Sequence, residues 1–374
     1  MKIEKYNSLG GCGLIPGLHA FGAKLDYGEI DSSGFLGGVL RGGPHVCELE
    51  EEWCWKFGSK HAIACNSATS GLMAAVEAAR IKQGMDRMLV SVPAFTMSAT
   101  AAAPSVLGHA IYFEDCEDET FCVAEHSRNA DVLIITNLFG CPAPLHEFRE
   151  LADLNGQIMI EDNAQAILAK ENGKYAGTIG HIGVFSLNVH KHIQAGEGGV
   201  CVTDDDDLAL YMRMFINHAE MFENSAMIGL NLRMTEITAF VALQQLGRVD
   251  ELVRGRQEKA VLLLEAIGEV PGVRMPVQRE NCDHACYAIP FLVERDRRKF
   301  VKAMREKRIP LVEGYVNPLN RMPAFTKWAC ECPVAEDLHD RRLFYWENCA
   351  WDPTVEQIKE IGETFRKVAR EVLT

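Results

Sequence analysis

The stretch "FSLNVHKHIQAGEGG", Phe185 to Gly199, sets one lysine between two histidines and runs into an acid and a Gly-Gly turn. Three kinds of chemistry compete for Lys191: a lysine beside metal-ligating histidines, an exposed loop charge, or a buried nucleophile. His190 and His192 find no carboxylate or cysteine at matching spacing nearby, and in an extended loop both face away from Lys191, so no metal is expected here. A surface lysine gives no reason for Ser186 before it or "GEGG" after it. A lysine held in a pocket with a depressed pKa forms an imine with an aldehyde, and the spacing favours that reading.

Two further segments carry chemistry. In "NSATSGLMAAV", Asn66 to Val76, small hydroxyl residues precede a helix expected to begin near Gly71. The open N–H groups and positive dipole end of its first turn suit a phosphate, although Ser67, Thr69 or Ser70 could simply cap the helix. In "IMIEDNAQA", apolar strand residues end in Glu161 and Asp162, with Gln165 just beyond. Side chains alternate along a strand, so only one of the two acids enters a given pocket. A buried carboxylate needs a positive partner, which a pyridinium nitrogen would supply; an acid pair at a helix start is the plainer alternative. Phosphate site, acid and imine-forming lysine, in this order, are the equipment for pyridoxal 5'-phosphate.

The elements that must position these residues are short apolar runs alternating with helical patterns. "HAIAC" leads to "SGLMAAVEAAR", "RMLVSV" to the Pro93 segment and "DVLIIT" to "LHEFRELADLN", and "QIMIED" closes the series. Such alternation predicts an α/β fold, a mainly parallel sheet covered on both faces, with ligands at the carboxyl ends of its strands. After "GGVCVTDDDDLALYMRMFI" the alternation fades into one long helical pattern, Thr235 to Ile267, and then into a smaller α+β unit. The expected division is a large domain over residues 1–247 and a small one over 248–374.

Composition narrows the function. A chain of 374 residues suits one large domain with a smaller companion. With 38 basic against 52 acidic residues and a net charge of -14, it has no basic cluster, so neither nucleic acid nor an anionic membrane is an expected partner. The uncharged run Met88 to Phe113 is long enough to cross a bilayer, but Pro93, Pro104, Gly108 and His109 predict strand, helix and strand instead. The N-terminal "MKIEKYNSLGG" has no apolar signal region, and a cytoplasmic location is expected. The 13 cysteines, Cys12 among them, show no paired zinc spacing even at "CDHAC" and "CEC", and are expected as free thiols.

The ordered motifs resemble those of the DegT/DnrJ/EryC1/StrS sugar aminotransferases, of the pyridoxal-phosphate-dependent transferase fold type I. The likeness spans "GPHVCELEEEWCWKFGSKHAIACNSATSGL", "VPAFTMSATAAA", "NLFGCPAPL", the stretch from "IEDNAQA" to "GGVCVTDDDDLA", "INHAE", "GLNLRMTEITAFVALQQL" and "CPVAEDLH". The resemblance implies that Lys191 carries the cofactor as an internal aldimine and later moves the proton. It further implies that Asp162 keeps the pyridine nitrogen protonated and that Gln165 touches the ring's 3' oxygen. Ala68, Thr69 and Ser186 would hold the phosphate. Asn231 would reach that phosphate from the neighbouring subunit, which implies a homodimer with shared sites.

Departures from the family pattern are local. Ala68 stands where the family usually has glycine, which requires negative φ there. Met97 stands where an aromatic commonly stacks on the cofactor, and the segment from Phe121 to Thr136 looks shorter than usual. Members that dehydrate sugars carry histidine in place of the lysine; here Lys191 holds that position, and transamination is expected. The donor implied is L-glutamate or L-glutamine, and the acceptor a keto or aldehyde sugar, nucleotide-linked, with a keto-cyclitol or sugar acid as alternatives. In "EGYVNPLNRMPAF", Asn320 and Arg321 intrude on the family's substrate loop and are candidate acceptor contacts. Two other classes compete: a non-catalytic or regulatory cofactor-binding member, and a nucleotide-binding dehydrogenase, which would need a G-x-G-x-x-G turn that this chain lacks after its first strand.

Overall fold

The computed structural model describes residues 42–373 except 126, 220–226, 278 and 315. The N-terminal stretch considered for targeting, Cys12, Glu220 of "INHAE" and Tyr315 of the substrate-loop segment lie outside the described residues. In chain order the larger part contains α1 (Pro44–Phe57), β1 (His61–Cys65), α2 (Ala68–Lys82), β2 (Leu89–Pro93), α3 (Ser98–Val106), β3 (Ala110–Glu114), β4 (Val132–Thr136), α4 (Leu145–Asn155) and β5 (Ile158–Asp162). It continues with β6 (Lys170–Glu171), β7 (Lys174–Tyr175), β8 (Ile182–Ser186), β9 (Gly199–Thr203), α5 (Asp206–Ile216) and α6 (Glu236–Leu246). Then follow α7 (Val249–Ile267), β10 (Val273–Arg274), β11 (Cys282–Asp283), β12 (Ile289–Val293), α8 (Arg297–Glu306), β13 (Leu311–Glu313), α9 (Pro333–Asp337), β14 (Leu343–Trp346) and α10 (Val355–Val372).

The apolar runs become one sheet of order β1-β9-β8-β5-β4-β2-β3. Its pairs from β8 through β5, β4 and β2 to β3 are parallel, while β9 runs antiparallel to both β8 and β1. Strands β4, β5 and β9 are buried along their whole length, as expected of strands with helices on both faces. Because β9 is reversed, its first residue, Gly199, lies at the edge where β1, β5 and β8 end. Helix α2 lies close on this sheet: a Cβ on Gly71 would come within 2.8 Å of Cys201 Sγ and 3.0 Å of Val184 Cγ1. That glycine therefore sets how near the helix's first turn comes to the strand ends.

A second sheet, of order β10-β12-β14-β13, is antiparallel throughout and is packed by α7, α8 and α10 around Phe291, Phe300, Phe344 and Phe365. Thr354 and Gln357 form a reciprocal capping box that starts α10.

Three details differ from the sequence reading. Helix α2 begins at Ala68 rather than near Gly71, because Ser67 caps it by accepting the Ser70 N–H. The long helical pattern after Thr235 is two helices, broken where Arg248 takes φ −114° and ψ 4°. Its continuous apolar periodicity hid the break. Residues 316–338, which follow β13 in the chain, return to the larger sheet: Val316, Leu319, Phe325, Ala335 and Leu338 join its core, and Leu319 N–H donates to Ala94 O. The uncharged Met88–Phe113 run folds as β2, α3 and β3, and among the described residues no helix is long and apolar enough to cross a membrane.

Candidate active site

The loops leaving β1, β2, β4, β5 and β8, with the loop entering β9, enclose a cavity of about 310 Å³. Ala68, Thr69, Met97, Asp162, Gln165, Ser186 and Lys191 all line it, brought together from distant points of the chain. Lys191 is 9% exposed, and its Nζ lies 4.8 Å from the centre of the Tyr287 ring. Burial pushes its amine below the ordinary lysine value, with Asp162, Cys349 and Glu347 pulling the other way. The amine is thereby biased toward the unprotonated form that attacks a carbonyl.

Strand alternation separates the two acids as expected. Glu161 turns to the opposite face, where its carboxylate accepts the N–H groups of Gly177, Ile179 and Gly180 at 2.6, 2.8 and 2.5 Å. Asp162 enters the cavity, accepting from Thr100 Oγ1 at 2.8 Å and from Ala164 N–H at 3.2 Å. Burial raises its carboxyl above the ordinary range; those two hydrogen bonds and the Lys191 charge lower it. Among the described residues it forms no ion pair, so a cationic ring nitrogen would supply what the site lacks.

Gln165 is aimed by the backbone of Phe139. That buried residue adopts φ 58°, a left-handed conformation costing about 1–3 kcal/mol for a bulky side chain, and donates its N–H to Gln165 Oε1 at 2.7 Å. With the oxygen engaged, the rest of the Gln165 amide is a donor, suited to an oxygen on the cofactor ring.

The start of α2 is the element suited to an anion. Ala68 and Thr69 are its first residues, whose N–H groups have no intrahelical acceptor by geometry. Ala68 has ordinary helical backbone, so alanine replaces the family's glycine without strain. Ser67 does cap the helix, and the same turn leaves the Ala68 and Thr69 N–H groups open to an anion. Gly199 holds that turn close: a Cβ there would lie 2.6 Å from Ala68 N and from the Ser67 carbonyl carbon. Gly199→Ala should therefore push the turn outward at a cost of about 1–3 kcal/mol, seen as lowered thermal stability together with weaker phosphate and cofactor binding in a titration.

Asn231, Asn320 and Arg321 do not line this cavity in the single chain, whereas Met97 stands at its rim. Asn231 is exposed and bridges Asn217 without lining the cavity. Arg321 is held by Asp340, through bonds of 2.8 and 3.0 Å. Asn320 is 2% exposed, and its amide donates to Cys330 O and Glu336 Oε1, both at 2.8 Å. Met97 is 54% exposed and flanks the cavity at the start of α3. Among the described residues no three His, Cys, Asp or Glu side chains converge on a metal position, and the described cysteines are free thiols.

Sequence reasoning missed Thr100, Phe139 and Tyr287. Thr100 and Phe139 lay inside quoted motifs, unmarked because a hydroxyl or an N–H gains its role only from the fold. Tyr287 carried no signal, since it reaches the cavity from far along the chain. The residues present fit pyridoxal 5'-phosphate: a helix start for its phosphate, a carboxylate for its ring nitrogen, an amide donor for its ring oxygen and an amine for its aldehyde.

The profile of the DegT/DnrJ/EryC1/StrS aminotransferase family matches residues 33–366. The chain belongs to this family. Its fold is that of the PLP-dependent sugar aminotransferases, and its cofactor is pyridoxal 5'-phosphate. It is 30% identical over 305 residues to the UDP-N-acetyl-3-dehydro-alpha-D-glucosamine 3-aminotransferase of Acidithiobacillus ferrooxidans, covering 79% of this chain and 81% of that one. It is also 30% identical over 381 residues to the L-glutamine:2-deoxy-scyllo-inosose aminotransferase of Streptomyces kanamyceticus, covering 89% and 87%. The structure of S. venezuelae DesV in complex with a ketimine intermediate superposes with a TM-score of 0.80 at 25% identity, covering 88% of this chain and 90% of that one.

Proposed function

We propose that this protein transfers an amino group from L-glutamate or L-glutamine to the keto or aldehyde carbon of a sugar carried on a nucleotide, working as a homodimer with shared sites. The observation that carries the reading is the meeting of Lys191 and Asp162 in one cavity whose edge is the start of α2. When bound, the cofactor supplies an electron sink that acidifies the donor's α proton. Lys191 Nζ, held over Tyr287, takes that proton and returns it during the second half of the cycle. Asp162 keeps a positive charge on the ring nitrogen, and Gln165 donates to the ring oxygen. The Ala68–Thr69 turn and Ser186 anchor the phosphate, with Asn231 contributed by the partner subunit.

Similarity to the Streptomyces kanamyceticus enzyme, across most of both chains, supports a second acceptor class, a keto-cyclitol. The test measures the visible absorbance of protein supplied with pyridoxal phosphate before and after excess L-glutamate or L-glutamine. Nucleotide-linked keto sugars and 2-deoxy-scyllo-inosose are then added separately, and the amine products identified by mass spectrometry. A donor-driven spectral change reversed by one acceptor class assigns that class. No donor-driven change overturns the transaminase reading, and reversal by the cyclitol alone overturns the nucleotide-sugar one.

A further inference from the structure

The loop between β8 and β9 carries Lys191, and backbone bonds such as Ala195 N–H to Leu187 O and Val189 N–H to Gly196 O close its base. Its tip is gripped by another part of the chain. His192, 2% exposed, lies against Arg256 of α7, whose Nη1 sits 2.7 Å from His192 Nδ1 and donates to His192 O at 3.4 Å. A guanidinium keeps its protons, so Nδ1 must be the acceptor, and the imidazole is neutral with its proton on Nε2. Burial first, then the charges of Arg256, Lys191 and His284, hold His192 well below its ordinary pKa. Cys349, from the turn after β14, closes the other side with Sγ 3.6 Å from Nδ1 and 3.8 Å from Nε2. The His192 ring meets Tyr287 edge-on at 6.1 Å, and this is the ring over which Lys191 Nζ lies.

We infer that Arg256 is a positioning residue for Lys191, acting through an acceptor at position 192: the guanidinium clamps the ring and carbonyl of His192, which fixes Tyr287 and the loop tip and so aims the amine. A lysine side chain is a flexible stem with a point charge, and the rate at which it meets an aldehyde depends on how narrowly its position is held. His190, on the other side of Lys191, is exposed at the cavity, so the two flanking histidines have unrelated roles. The inference depends on Lys191 being the cofactor-linking lysine, and its test reports cofactor capture without needing any acceptor.

The experiment adds pyridoxal phosphate to cofactor-free protein and follows the growth of the Lys191-dependent visible band in a stopped-flow spectrometer. His192→Asn keeps an acceptor near the Nδ1 position, whereas His192→Leu of similar volume does not; Arg256→Lys and Arg256→Met make the matching pair. The Leu and Met variants should capture the cofactor about tenfold more slowly than the wild type, with Asn and Lys recovering most of that loss. The double variant His192→Leu/Arg256→Met should be no slower than Arg256→Met alone, since that change already removes the guanidinium's bonds to both the ring and the carbonyl of His192.

Wild-type rates in the Leu and Met variants, equal slowing by Asn and Leu, or losses that multiply in the double variant would each overturn the inference. If one apolar variant does not fold, the other pair decides. If neither folds, the contact maintains the fold rather than the lysine, and the inference is equally overturned. A wild-type protein that forms no Lys191-dependent band would overturn the cofactor reading itself, an outcome distinct from all of these.

Discussion

Lys191→Ala should leave a folded protein that still takes pyridoxal phosphate into the cavity but forms no covalent link, and kcat should fall by at least about four orders of magnitude. The size follows from its double role. A positioned acid–base group contributes roughly a hundred- to ten-thousand-fold, and the same side chain is also the nucleophile that holds and releases the cofactor. Other cavity groups, including Asp162, Gln165 and the α2 turn, remain, which is why binding survives. Borohydride treatment followed by mass spectrometry checks the link, and steady-state kinetics checks the rate. Retention of a borohydride-trapped adduct in the variant would assign the link to another amine.

The pH dependence of capture has a definite sign. Burial lowers the Lys191 pKa, so the free amine accumulates at lower pH than it would on an exposed lysine, whose ordinary value is 10.5. The capture rate of the wild-type protein should rise with pH and level off below that value. A plateau reached only at or above the ordinary lysine value would mean that the amine is not held in the buried environment over Tyr287.

Asp162→Asn has the second-largest expected effect, and its sign on stability reverses with cofactor. With the cofactor bound, the substitution removes the one buried carboxylate that lines the cavity among the described residues, beside the ring nitrogen's expected position, a loss of about 3–5 kcal/mol for breaking a buried charge pair. That corresponds to roughly a hundred- to several-thousand-fold weaker binding. Catalysis should fall as well, because a neutral ring nitrogen is a poorer electron sink. In the cofactor-free protein the same change should be neutral or stabilising near pH 7. There the Asp162 pKa is raised by burial, so from the ordinary value of 3.8 up to the raised one the folded state binds more protons than the unfolded state. Stability is therefore lost as pH rises through that window, and the loss persists above it.

Asparagine escapes this cost while keeping an oxygen for Thr100 Oγ1 and Ala164 N–H. Lys191, deprived of a nearby negative charge, sheds its proton more readily rather than standing as a buried lone cation. Thermal melts of both proteins, with and without pyridoxal phosphate at pH 5 and pH 8, measure the reversal. A variant less stable than wild type in every condition would show that Asp162 serves the fold rather than the cofactor.

Much of the site was legible because its residues sit in local patterns that survive without tertiary information. Asp162 closes an apolar strand, Lys191 precedes a glycine-rich turn, and Ala68 and Thr69 follow a serine that caps a helix. The alternation of Glu161 and Asp162 follows from strand geometry alone, and each acid now has a separate set of partners. Asn320 and Arg321 illustrate the opposite case. A loop position suggested contact with an acceptor, while the fold gives the Asn320 amide N–H groups to Cys330 and Glu336 and the Arg321 guanidinium to Asp340. No local pattern records such partners.

The sequence by itself determined the α/β alternation, the edge of the sheet where the candidate site lies and the order of its residues along the chain, because periodicity, capping and strand alternation act over a few residues. Only the tertiary structure decided how those residues are aimed. Thr100 reaches Asp162, the strained backbone of Phe139 turns Gln165, and Tyr287 arrives from the other side of the chain to lie under Lys191. It also decided that the two histidines flanking Lys191 part company, one at the cavity and one clamped by Arg256. Side-chain direction in a loop is set by whatever packs against it, and for this loop the packing comes from α7 and the turn after β14, far along the chain.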